Sequence, residues 1–125
     1  MTMLLDAGAL IAVERGDAVM WRRLRIATDD VAPVITHGGI VGQVWRGGGR
    51  QALLARALAG VSVIPIDVQL GKATGELLAV SSTSDVNDAA LALLANPGDQ
   101  VITSDPDDLG RLLATRRVDV EILSV

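Results

Sequence analysis

The chain reads as an α/β domain with a mostly parallel sheet. Short apolar runs alternate with stretches of helical spacing from one end to the other, the pattern of βαβ units. Its 125 residues show neither a linker nor an internal repeat, so a single domain over 1–125 is expected. Half of the residues are hydrophobic and the mean hydropathy is +0.41, enough to bury a core without disulfides or a structural metal.

The elements follow in order. Met3, Leu4 and Leu5 make a short buried strand, and residues 9–14 are helical in composition. Met20, Leu24 and Ala27 have the 4,3 spacing of an amphipathic helix. Residues 31–36, with Val34 and Ile35 after Pro33, predict a second strand. Residues 38–45 are ambiguous, because glycines weaken a helix there, and Gly47, Gly48 and Gly49 break the chain. Leu53, Leu54, Ala57 and Leu58 mark a helix that Gly60 ends, and residues 61–64 form a β-branched strand. Leu70, Ala73, Leu77 and Val80 are again helical, residues 81–84 are a loop, and residues 89–95 are a buried helix before the turn at 96–99. Residues 101–103 are a strand, and Leu109, Leu112 and Leu113 line a helix. Val118, Val120 and Ile122 alternate with Asp119 and Glu121, as in an edge strand.

Composition excludes several functions. Without cysteine there is no disulfide, thiol catalysis or cysteine-held zinc. Without Phe or Tyr there is no aromatic platform of the kind that stacks RNA bases. The longest apolar run, residues 89–95, is far below the roughly 18 residues that span a membrane. Asp6 interrupts the apolar opening, so no signal peptide is expected and the expected compartment is the cytoplasm. No G-x-S-x-G motif is present, and Gly71, Lys72 and Ala73 lack the frame of a phosphate-binding loop. The single histidine, His37, is read as a loop residue rather than a ligand.

The net charge of −4 argues against nucleic acid as a partner, but the acids are unevenly placed. Asp105, Asp107 and Asp108 fall within four residues, and Asp85 and Asp88 are three apart. Asp6 follows the first strand and Asp105 the fourth, while Asp85 and Asp88 open a helix, where i and i+3 share a face. In a parallel sheet these four positions belong to the carboxyl rim, where ligands bind. Each also has a simpler reading as a helix cap, with Ser84 or Asp85 before residue 89 and Asp105 before Pro106. Four acids on one rim repel one another, and a hard cation such as Mg²⁺ relieves that. Without Asp6, Asp85, Asp88 and Asp105, 11 acids face 11 bases. Arg46 and Arg50, beside the glycine loop, are then the candidate substrate-binding residues. Arg22, Arg23 and Arg25 read as a solvated helix face, and Trp45 as a core or dimer contact.

Four stretches have a familiar order. Residues 4–12 (LLDAGALIA), 44–50 (VWRGGGR), 83–90 (TSDVNDAA) and 101–109 (VITSDPDDL) resemble the PIN domains of the VapC toxins of bacterial toxin–antitoxin pairs. The resemblance covers almost the whole chain. It implies a three-layer α/β/α PIN-like fold and ribonuclease activity dependent on Mg²⁺ or Mn²⁺. It also implies a cognate VapB-like antitoxin, an RNA substrate and a homodimer. By motif, Asp6, Asp88 and Asp105 match the family's metal-site acids, and Asp85 is a neighbouring acid available to the same catalytic centre. The chain departs from the pattern at Gln43, which stands where the family's second acid usually sits. An amide oxygen can coordinate but brings no charge, so weaker cation binding is expected. Two other readings remain: a PIN-fold module that binds antitoxin or RNA with weak or lost catalysis, and an unrelated α/β phosphotransfer or hydrolase domain.

Overall fold

The computed structural model describes residues 1–125. Its strands are β1 (Met3–Leu5), β2 (Val34–His37), β3 (Ser62–Ile64), β4 (Gln100–Thr103) and β5 (Glu121–Ser124). They form one sheet in the order β3-β2-β1-β4-β5, and every pairing is parallel. The helices are α1 (Ala7–Glu14), α2 (Ala18–Asp29), α3 (Gly38–Val44), α4 (Ala52–Leu58), α5 (Val68–Ser81), α6 (Val86–Leu94) and α7 (Pro106–Arg116), with a 3-10 turn at Gly49–Gln51. From β1 the chain winds one way to β2 and β3, then crosses back and winds the other way to β4 and β5. Right-handed crossovers therefore place α1–α4 on one face and α5–α7 on the other. Packing agrees: α1 rests on α2, α3 and α4, while α5, α6 and α7 rest on one another. This is the expected three-layer α/β/α arrangement, consistent with a PIN-like fold, and the sheet is wholly parallel.

The central strand shows why the apolar runs are short and unbroken. Met3, Leu4 and Leu5 are all buried, because helices cover both faces of the sheet. Leu10, Met20, Ile40 and Leu54 fill one side, and Leu77, Leu91, Leu109 and Leu112 the other. No helix is long and apolar enough to cross a membrane.

Three local expectations needed tertiary information. The glycine-weakened stretch 38–45 is the helix α3, capped by the His37 ring and anchored by buried Ile40 and Val44. In α5 the buried face runs through Thr74, Leu77 and Ser81, a 3,4 spacing, so Val80 points to solvent. At the far edge the strand begins at Glu121, not at residue 118, because only from there does the chain pair with β4.

Helix α1 sits unusually close to the end of β4, and Gly8 makes this possible. A Cβ at Gly8 would stand 2.1 Å from Ser104 Oγ and 2.3 Å from Ser104 Cβ. Turning the hydroxyl away does not remove the second clash. Gly8→Ala is therefore expected to destabilise the fold by about 1–3 kcal/mol. Adding Ser104→Gly should recover most of that loss, and urea unfolding of the two single variants and the double reads the coupling. Additive losses would place the strain elsewhere.

Candidate metal centre

The winding direction reverses between β1 and β4, and a parallel sheet opens a crevice there at its carboxyl edge. Asp6 fills the base of this crevice. It follows β1 in extended conformation, caps α1 and is only 3% exposed. One carboxylate oxygen accepts the Ala9 amide at 2.8 Å. The other accepts the Thr103 hydroxyl at 2.5 Å and the Ser104 amide at 3.0 Å. The Thr103 oxygen in turn accepts the Asp105 amide at 2.8 Å. One buried hydroxyl thus ties the acid after β1 to the acid after β4.

Two helices start over this base. Asp105 caps α7, with Pro106 at its first position, and its carboxylate accepts the Asp108 amide. Asp85 caps α6 by accepting the Asp88 amide at 2.9 Å. Both capping readings are correct, and both coexist with a carboxylate cluster. Carboxylate oxygens of Asp88, Asp105 and Asp108 all lie within 4.8 Å of one another. Asp85 is exposed at the side of this group, and Asp6 lies outside the three with its oxygens committed to hydrogen bonds.

Electrostatics mark Asp88 as the strained member. Its carboxyl is pushed up to about 7, first by burial and then by the charges of Asp85, Asp6, Asp105 and Asp108. The only ion pair in the molecule, Arg111 with Asp108 at 4.0 Å, joins two well-exposed side chains and does little to offset this. All available donors are hard oxygens, as Mg²⁺ and Mn²⁺ prefer. Oxygens on opposite sides of such an ion stand roughly 4 Å apart, so three groups within 4.8 Å fit one ion after small side-chain adjustments.

Asp88 and Asp105 are therefore brought together as the sequence reading expected, with Asp108 beside them in the place given to Asp6. Asp108 was missed, although it stands three residues after Asp105, the same spacing that joins Asp85 and Asp88. Thr103 was missed as well. Its signal is a hydroxyl on the last residue of a strand that leads into an acid. His37 is not a loop residue. It ends β2, is fully buried, and its burial lowers the ring's pKa, opposed by its bond to the Asn87 carbonyl and by the Asp85 charge. Trp45 is not a core residue, being 40% exposed.

Gln43 is exposed on α3, one turn beyond Gly39 on the same side of the helix, and does not belong to the group of three. Arg46 and Arg50 are not brought to the acids. The Arg46 guanidinium donates to the Gly42 and Trp45 carbonyls at the end of α3. The Arg46 amide is held by Gln51, which also bonds Glu14 at the far end of α1. Eight residues of helix separate that end from Asp6, roughly 12 Å. Arg50 is exposed in the adjoining 3-10 turn.

No known family model matches the chain, and no curated protein matches it. Function is therefore read from the fold and the centre themselves.

Proposed function

We propose that this chain is a divalent-metal-dependent endoribonuclease of the VapC type, the toxin of a type II toxin–antitoxin pair. One observation carries the reading. Asp88, Asp105 and Asp108 converge above a buried Asp6 at the point where the sheet reverses its winding. The ordered resemblance of four sequence stretches to PIN domains supports it. Asp88, Asp105 and Asp108 would hold Mg²⁺ or Mn²⁺. A cation held there would offset charge on a scissile phosphate oxygen and would lower the pKa of an attacking water so that it gives up its proton more readily. The protein's own work is positional. Thr103 and the Ser104 amide fix Asp6 so that its charge lies beneath the ligands. The caps at Asp85 and Asp105 fix the shape of the two first helical turns that carry Asp88 and Asp108. RNA hydrolysis in the cytoplasm, a VapB-like antitoxin that covers the rim, and a homodimer belong to the same proposal.

Gln43 favours a second reading, a PIN-fold module that holds RNA or antitoxin with weak catalysis. One experiment separates the two: cleavage of a structured RNA against Mn²⁺ concentration. The enzyme reading expects metal-dependent cleavage, lost in Asp105→Asn. Gln43→Glu is expected to lower the Mn²⁺ requirement only slightly, because Gln43 lies outside the group of three and an exposed carboxylate there attracts the cation through solvent and not as a ligand. RNA binding with no cleavage at any Mn²⁺ concentration, in wild type and Gln43→Glu alike, would select the binding module.

A further inference from the structure

His37 and Asn87 make contacts that no step above uses. His37 ends β2 with its ring fully buried, and both ring nitrogens are occupied. Nδ1 accepts the Gly39 amide at 3.1 Å and the Ile40 amide at 3.4 Å, capping α3. Nε2 therefore carries the hydrogen, and it donates to the Asn87 carbonyl at 2.8 Å. The Asn87 side-chain amide returns a bond to the Gly39 carbonyl at 3.4 Å. Gly39 must lack a side chain for this, since a Cβ there would stand 2.2 Å from Asn87 Oδ1. Helices α3 and α6 belong to different layers, so the contacts join the two layers at the rim.

We infer that His37 is a positioning residue for the metal centre: with Gly39 and Asn87 it clasps the first turn of α6 to the start of α3 and thereby sets where Asp88 stands against Asp105 and Asp108. The inference rests on the reading of Asp88 as a ligand. Asp88 is the next residue after Asn87. Little else ties this turn down, because Asp85 and Val86 are exposed and the buried face of α6 begins only at Ala89. The Asp85 cap travels with the helix, so it fixes the turn's shape and not its place. Residues that orient a ligand from behind typically contribute 10–100-fold to metal affinity.

The test compares His37→Asn and Gly39→Ala with wild type in the full chain. Asparagine still caps α3 but is too short for the Asn87 carbonyl. Gly39→Ala keeps the histidine but displaces Asn87, and its Cβ also presses on the His37 ring at 3.1 Å, so it strains the clasp from the α3 side. Leu54→Val, a core change in α4, controls for general loss of stability. Two quantities are read: amide exchange at Asp88 and Ala89, and Mn²⁺ affinity by calorimetry. Both clasp variants should exchange about tenfold faster at these two amides, with β1 and β4 unchanged. Both should bind Mn²⁺ about tenfold more weakly. Leu54→Val should melt earlier without either change. If either clasp variant fails to fold, the other decides. Unchanged exchange at Asp88 and Ala89, or faster exchange with unchanged Mn²⁺ affinity, overturns the inference. A wild type that takes up no Mn²⁺ overturns the reading of the centre instead, and exchange then still decides whether the clasp holds the turn.

Discussion

Asp88→Asn is expected to raise the melting temperature of the metal-free protein at pH 8 and to abolish Mn²⁺-dependent RNA cleavage. The first effect follows from linkage. The Asp88 carboxyl sits at about 7, against 3.8 for the ordinary group. A folded pKa above the unfolded one means that the folded state binds the proton more tightly. The associated stability is fully present below pH 4 and is lost as pH rises through about 7. A shift of about three units corresponds to roughly 4 kcal/mol. The side chain is only half-buried, and solvent screening reduces this to about 1–2 kcal/mol. Asparagine removes the charge and keeps the amide that donates to Asp85. For a chain of this length the gain is roughly 4–8 °C. It should be absent near pH 3.5, grow between pH 4 and 7, and level off above. Melting curves in EDTA across that range, for wild type and variant, check it. Equal melting temperatures at pH 8 would show that Asp88 is not under electrostatic strain. The second effect removes a charged ligand from the proposed centre. A folded Asp88→Asn protein that still cleaves RNA would exclude the carboxylate group as the source of activity.

Thr103→Val is expected to cost about 2–4 kcal/mol despite the near-identical shape of the two side chains. Thr103 is fully buried, and its hydroxyl both donates to Asp6 and accepts from the Asp105 amide. Valine leaves a buried carboxylate short of one donor and an amide without its acceptor. Each loss is of order 1–3 kcal/mol, and the charged one is the larger. Thr103→Ser keeps the hydroxyl and should lose about 1 kcal/mol, the share of the missing methyl. Urea unfolding at pH 7 orders the three proteins. Valine and serine variants of equal stability would mean that packing, and not the relay between β1 and β4, holds Thr103. The valine variant should also require more Mn²⁺ for cleavage, because Asp6 and Asp105 no longer share a fixed reference.

Much of the centre was legible because its acids lie at places that local rules already mark. Asp6 directly follows an apolar run, Asp105 follows a short strand that ends in Thr103 and Ser104, and Asp85 and Asp88 stand just before the apolar run at 89–95. In a parallel sheet the carboxyl ends of strands and the starts of the following helices share an edge, so alternation alone puts these residues on one rim. The alternation likewise indicated the α/β class and a last strand at the far edge, whose start at Glu121 and not at 118 is decided by pairing with β4, while the three layers were what the resemblance implied. Hydrophobic burial, which is periodic and local, carries the alternation. Which oxygens meet is a different matter. Whether Asp6 or Asp108 joins Asp88 and Asp105 depends on where hydrogen bonds direct each carboxylate, and Thr103 and Ser104 settle it for Asp6 across 97 and 98 residues of chain. Helix α3 lay beyond propensity for the same reason: its glycines disfavour it, and a buried ring from the neighbouring strand stabilises it. The position of Arg46, away from the rim, depends on Gln51, which holds its amide and reaches Glu14. The sequence by itself determined the α/β class and the edge on which the acids gather, because backbone periodicity and burial act over a few residues. Only the tertiary structure decided which carboxylates converge, because that is set by polar contacts between residues far apart in the chain.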